Sequence, residues 1–326
     1  MSKTTSDLPG IQSLTEGISF VLTEGGFTRG RVTILNRESN VYKSTSPCEI
    51  VTCRLADGQI LKLLCKYSAG QDHSSYGHRG GLAYEGEVYR RILMTSQLSI
   101  PVFYGTYTDK TDGRTWLVIE YLQDSCRINR SLEPDAIFLA VRWIGELHSA
   151  YEVNELNDQT SFLKVYDKEY YLGWLDRASW YAKHLQKRFP WLESLHSIFE
   201  ECVVSLPDFQ QSVIHGEYYP MNVLIRNRSI YPVDWESAAI GPGEIDLAAL
   251  IEGWPEDILR ECESVYKSVR WPNGAPCDFA QRLDTARVYL GLRWLGDNQE
   301  WTADESSLWC FEMLYVVGKR WGMIRE

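Results

Sequence analysis

Between Val213 and Glu236 the sequence places three candidate oxygen ligands, Glu217, Asn222 and Asp234, at intervals of 5 and 12 residues. A polar loop, His215-Gly216-Glu217-Tyr218-Tyr219-Pro220-Met221-Asn222, follows the apolar pair Val213-Ile214. It precedes two short apolar runs, Val223-Leu224-Ile225 and Ile230-Tyr231-Pro232-Val233. The loop offers a carboxylate at Glu217 and an amide at Asn222, and the second run ends in another carboxylate at Asp234. A carboxylate and an amide are the oxygen ligands that Mg²⁺ prefers, and a further carboxylate nearby can orient a hydroxyl.

These residues need elements to position them. Ile11, Leu14, Ile18, Val21 and Leu22 recur at helical spacing, predicting an opening amphipathic helix stopped by Gly25-Gly26. Residues 31–36 and 49–55 then read as strands. Asp57-Gly58 is a hairpin signal, with 59–66 as the return strand. Residues 68–81 form a polar, glycine-rich loop, followed by a predicted helix over 82–96. A second hairpin over 103–107 and 114–122 turns at Lys110-Thr111-Asp112-Gly113. From about Leu132 onward the pattern is helical, with stretches ending near His148 and over 168–187, 191–204, 246–253, 257–269, 279–295 and 306–321. The segment 213–243 interrupts them. The fold class predicted is α+β, with a small β-rich lobe over 1–122 and a large helical lobe over 123–326. Such a junction, near Tyr121-Leu122-Gln123, is where a ligand cleft is expected.

Composition narrows the function classes. The 326 residues carry 44% hydrophobic and 24% charged side chains, ordinary for a globular chain of about two domains. A net charge of −11 with no long Lys/Arg block excludes a nucleic-acid footprint. The first residues lack the apolar core of a signal peptide, and the longest apolar stretch, 136–145, is too short to span a membrane. Eight scattered cysteines with no C-x-x-C pair predict reduced thiols and a cytoplasmic protein.

The loop and the segment C-terminal to it resemble the aminoglycoside phosphotransferase and choline kinase-like branch of the protein-kinase-like fold. That family's loop runs H-G-D-x-x-P-x-N, followed by I/V-D-W/F-E-x-x-x-x-G and then D-L-A. His215, Gly216, Pro220 and Asn222 match in position, as do Val233, Asp234, Trp235, Glu236, Gly241 and Asp246-Leu247-Ala248. The resemblance extends more loosely from Arg31 to Ala249. One position departs: Glu217 stands where the family usually has Asp. The extra methylene moves the carboxylate by about 1.5 Å, and a 1 Å misplacement can cost about a hundredfold in rate.

The resemblance implies a bilobal kinase-like fold and ATP and Mg²⁺ as partners in phosphoryl transfer to a small-molecule hydroxyl. Asn222 and Asp234 would hold the metal, and Glu217 would accept or orient the acceptor hydroxyl. A kinase-type site also needs a strand lysine and a helix glutamate. Lys62 and Lys66 share a strand face and both qualify, but Lys66 ends its apolar run as the family's lysine does. Glu85 shares a helix face with Val88, Tyr89 and Ile92, whereas Glu87 sits at ion-pair spacing from Arg90 and Arg91. Ser44, Thr45 and Ser46 are the candidate phosphate-covering residues, and Glu120 and Leu122 the candidate adenine-contacting hinge. His215 and Asp246 would support the loop structurally. Only twelve residues separate Asp234 from Asp246, too few for a peptide platform, which favours a small acceptor. Glu252, Glu256, Asp257, Glu261 and Glu263 favour an acceptor bearing an amine or a sugar. The rival expectation, motivated by Glu217, is a nucleotide-binding pseudokinase serving as scaffold or regulator.

Overall fold

A computed structural model describes residues 8–40, 46–68 and 76–324. Of the three candidate phosphate-covering residues, Ser44 and Thr45 lie outside the described residues. In chain order the first elements are α1 (Ile11–Glu24), β1 (Thr33–Ser39), β2 (Cys48–Arg54), β3 (Ile60–Tyr67), α2 (Gly81–Arg91), β4 (Phe103–Thr108), β5 (Thr115–Glu120) and β6 (Cys126–Arg127). Next come α3 (Ala136–Ala150), β7 (Lys164–Val165), α4 (Lys168–Tyr181), α5 (Leu195–Val204), β8 (Gln211–Ile214), β9 (Val223–Arg226), β10 (Ser229–Pro232) and β11 (Ala239–Pro242). The rest is helical: α6 (Glu244–Ile251), α7 (Glu256–Arg270), α8 (Phe279–Asp297), α9 (Gln299–Thr302) and α10 (Leu308–Arg320).

The chain divides into two compact units. The first runs up to Cys126 and takes in Leu224–Ser237; the second comprises Arg127–Val223 and everything from Ala238 onward. In the first, an antiparallel sheet has strand order β1-β2-β3-β5-β4. Gly58, at φ +92°, makes the tight turn between β2 and β3 and fixes their register, with Cys48 opposite Lys66 and Thr52 opposite Lys62. Leu14, Ile18, Val21 and Leu22 of α1 form one buried core with Val51, Leu63, Tyr67, Trp116 and Val118 of the sheet. Gly86 lets α2 approach the sheet closely: a Cβ there would sit 2.4 Å from the Thr106 methyl.

The second unit is built around α8, which is buried on most of its circumference. The predicted helix over 168–187 leaves α geometry after Tyr181 for a 3₁₀ turn over Ala182–Leu185. That over 191–204 begins as a 3₁₀ segment, Pro190–Ser194, and becomes α-helical only at Leu195. Strand β11 has no sequence signal because all four of its residues are buried, so it shows no alternation. It pairs antiparallel with β8 and parallel with β7. Among the described residues no helix is long and apolar enough to cross a membrane.

All eight cysteines are free thiols, five of them buried; burial pushes Cys53 up to about 11 and Cys202 and Cys262 up to about 12. Thiol titration of the native protein near pH 8 should therefore show fast reaction only at Cys48, Cys126 and Cys277, and all eight groups after denaturation. A shortfall in the denatured count would reveal a disulfide that this structure lacks.

Candidate active site

In the first unit the pleat of β3 sends Lys66 inward, where its ammonium meets two acids. Nζ lies 2.9 and 3.0 Å from the two Glu85 carboxylate oxygens and 2.8 Å from Asp234 Oδ1. Three acceptors match the three N–H bonds of the ammonium. Burial alone would lower the Lys66 pKa, but Asp234 and Glu85 outweigh it and hold the group well above its ordinary value. The Glu85 side chain is fully buried while that of Asp234 is 30% exposed, so the pair is anchored on one side and open on the other. Removing either partner of a buried pair of this kind costs about 3–5 kcal/mol.

Asp234 is placed by its neighbours. The Trp235 amide donates to Glu85 Oε1 at 3.3 Å, and the Gly80 amide at the start of α2 donates to the Glu236 carbonyl at 2.7 Å. Asp234 itself sits at φ +74°, a left-handed conformation that costs a non-glycine residue roughly 1–2 kcal/mol. Glu236 is pushed up to about 7 by burial and by the carboxylates of Asp234 and Glu85, with Arg79 at 3.3 Å opposing.

The alternatives left open by the sequence separate here. Lys62 points toward Glu38, 3.8 Å away, and lies over the Tyr121 ring; Glu87 is partly exposed and pairs with Arg90. Glu120 uses its carboxylate on Arg226 (2.8 Å) and on the Val102 amide (3.2 Å), and its own amide donates to the Val102 carbonyl (2.8 Å). Leu122 is buried and Ser46 half-buried. A cavity of about 300 Å³ lined by Val21, Phe27, Arg90, Met94 and Phe103 contains none of these residues.

The polar loop lies in the second unit. Gly216, at φ +78°, makes the bend that a side chain would resist. The buried carboxylate of Asp246, on the first turn of α6, accepts the amides of His215 (2.6 Å) and Gly216 (2.9 Å). Its Oδ2 also meets His148 Nε2 at 3.1 Å, and His148 Nδ1 meets the Tyr266 hydroxyl at 2.8 Å. His215 is fully buried, and its Nδ1 accepts the Glu217 amide at 3.3 Å. Asn222 donates its amide nitrogen to the Glu217 carbonyl at 3.0 Å, so Oδ1 is the side-chain atom that could accept a ligand contact. The Glu217 carboxylate, 6% exposed, accepts from Arg293 Nη2 through Oε1. Arg293 Nη1 reaches the Gly216 carbonyl at 2.7 Å and the Tyr219 hydroxyl at 3.2 Å.

Known proteins share this arrangement of elements. The family model described as APH, phosphotransferase enzyme family, matches residues 74–268, more than half of the chain. The chain belongs to the phosphotransferase enzyme family. No curated protein sequence matches it. Among solved structures it resembles a protein described as a fructosamine-3-kinase of Haemophilus somnus 129PT, with TM-score 0.57 and 16% identity over 93% of this chain and 96% of the other. It resembles choline kinase LicA of Streptococcus pneumoniae, with TM-score 0.55 and 13% identity over 94% and 97%. It also resembles APH(2")-IIa, seen in a streptomycin–ATP ternary complex, with TM-score 0.55 and 14% identity over 95% and 96%. These likenesses establish the kinase-like α+β fold, and the family makes the protein a phosphotransferase, which does not favour the scaffold expectation.

Three residues around the phosphotransferase loop and Asp234 are not evident from the sequence motifs: Arg79, Arg293 and Tyr266. Arg293 carries a usable signal. It stands in the apolar run Tyr289-Leu290-Gly291-Leu292-Arg293-Trp294-Leu295, where a buried charge demands a partner. His148, a packed helix-end residue, is buried and is also hydrogen-bonded to Asp246.

Burial lowers the His148 pKa, with Arg270 adding to the effect and Asp246 opposing it. Below about pH 6.5 the unfolded chain takes up a proton at this histidine that the folded chain resists. The contribution is therefore fully present above pH 6.5 and is lost on acidification. In urea unfolding, the stability of wild type relative to His148→Gln should fall between pH 7.5 and pH 5.5. A difference independent of pH would show that His148 is not held neutral.

Proposed function

We propose that this phosphotransferase moves the γ-phosphate of ATP to a hydroxyl of a small molecule, with Mg²⁺ as the metal, in the cytoplasm. The observation that carries the reading is the Lys66 ammonium held between Glu85 and Asp234. On nucleotide binding, phosphate oxygens compete for Lys66, and the solvent-facing Asp234 contact yields before the buried Glu85 contact does. Glu85 then holds Lys66 against the phosphates while Asp234 is released as a metal ligand. The backbone at Glu120 and Leu122 contacts adenine, and Ser44, Thr45 and Ser46 cover the phosphates.

The donor set fits the metal. Asp234 and Asn222 offer hard oxygen atoms, and among the described residues no cluster of three or more His, Cys, Asp or Glu makes a ready cage. That suits an ion which keeps waters and takes substrate phosphates as ligands. When bound, Mg²⁺ neutralises phosphate charge. Glu217 orients the acceptor hydroxyl, whose oxygen bonds to the γ-phosphorus as the bond to the β-bridging oxygen breaks. The hydroxyl proton passes to Glu217 and thence to solvent. Asp246 and His215 keep the loop backbone in place throughout.

The acceptor is a small molecule, with amine-bearing compounds favoured. The acidic stretch after Gly253 supports this in part. Arg287 engages Glu252 and Glu263 at 3.8 and 3.6 Å and Arg260 engages Glu256 at 3.0 Å, while Asp257 and Glu261 are exposed.

Purified protein should show Mg²⁺- and ATP-dependent phosphorylation within a panel of aminoglycosides, aminoalcohols and glycated amines. Lys66→Met and Asp234→Asn should each lower turnover about 10²–10³-fold, the scale of losing one electrostatic contact to the transition state. Full activity in either variant, or no turnover of any acceptor by wild type, would overturn the reading.

A further inference from the structure

Glu217 is one methylene longer than the aspartate usual at its position, and its carboxylate meets a buried arginine. Its carboxylate does not swing on the loop alone, because Oε1 is engaged by Arg293 Nη2. The same guanidinium uses Nη1 on the carbonyl of Gly216 (2.7 Å) and on the hydroxyl of Tyr219 (3.2 Å). One planar fork thus fixes the residue before Glu217, its side chain, and the residue two further on. Arg293 is itself 5% exposed, and its helix is rigidly packed: Leu292 and Leu295 are fully buried, and Tyr289 meets Tyr170 through their hydroxyls at 2.9 Å. Arginine suits this task because its guanidinium is always charged and its donors point in fixed directions.

We propose that Arg293 is a positioning residue for phosphoryl transfer, a clamp that sets the reach of Glu217 and makes glutamate the residue this site requires. The inference rests on the proposed phosphotransferase function. The departure at position 217 becomes half of a matched pair, Glu217 with Arg293, in place of a defect. An aspartate at 217 ends short of the guanidinium, so restoring the usual residue uncouples the pair.

The test uses the full chain as wild type, Arg293→Lys, Arg293→Met, Glu217→Asp and the double variant Glu217→Asp/Arg293→Met. Each is assayed with Mg·ATP and the best acceptor among streptomycin, kanamycin, choline and a fructosamine. Misplacing the carboxylate by about 1 Å should lower kcat about a hundredfold in Arg293→Met and in Glu217→Asp, and about tenfold in Arg293→Lys, with KM for ATP within about twofold. In the double variant kcat should stay within about threefold of Glu217→Asp alone, because the second change removes a contact already lost. A merely structural arginine would instead lower the Mg·ATP binding stoichiometry and multiply the two defects. Should Arg293→Met fail to fold, Arg293→Lys and Glu217→Asp decide the matter.

The positioning role alone is overturned if wild type turns over an acceptor and the Arg293 variants match it, if Glu217→Asp equals or exceeds wild type, or if the two losses multiply. Wild type that phosphorylates none of the four compounds overturns the functional reading, and the positioning role falls with it.

Discussion

A carboxylate withdrawn from water must be answered by a cation or by aimed hydrogen-bond donors, since leaving it bare costs several kcal/mol. Three acids around the predicted residues meet that constraint in three ways. Glu85 is answered by the ammonium of Lys66, Glu217 by the guanidinium of Arg293, and Asp246 by two backbone amides and the His148 ring. The answer sets what each can do. An ammonium is a mobile point charge on a flexible stem; a guanidinium holds a carboxylate in one orientation. Backbone amides make Asp246 part of the scaffold.

The helices that supply these partners are placed by packing rather than by local propensity. Helix α2 brings Glu85 under the sheet because Gly86, the next residue, tolerates a close approach to Thr106. Helix α8 brings Arg293 to the loop because its apolar residues bury it on nearly every side. In both cases the charged group lies among buried neighbours, so its rotamers are restricted before any substrate arrives. That is how a site held by few polar contacts reaches a defined geometry.

Much of this is legible in the chain. Helix α1, the five strands of the first sheet, and helices α3, α7 and α8 follow from periodicity and turn residues close to their observed bounds. The choice of Lys66 over Lys62 follows from the family pattern and that of Glu85 over Glu87 from helix faces, and Lys66 and Glu85 meet each other in the structure. The features that periodicity does not reveal have a common cause. Strand β11 and Arg293 are defined by what surrounds them: a four-residue strand buried on both faces has no alternation, and a lone arginine in an apolar helix does not name its partner. The glutamate at 217 is visible as a departure, but its counterpart lies 76 residues away.

Backbone strain marks the same places from another direction. Asn227 and Arg228, at φ +51° and +62°, have an evident local reason, since a two-residue turn between β9 and β10 needs left-handed residues. Asp234, at φ +74°, lies in no such turn. Its conformation is held by the Trp235 amide on Glu85, the Gly80 amide on the Glu236 carbonyl, and the ammonium of Lys66 on its own carboxylate. A relaxed backbone at 234 would redirect the carboxylate away from Lys66 and give up that charge contact. The strain and the ion pair therefore sustain each other, and the side chain so held is the one whose oxygen atoms remain open to solvent.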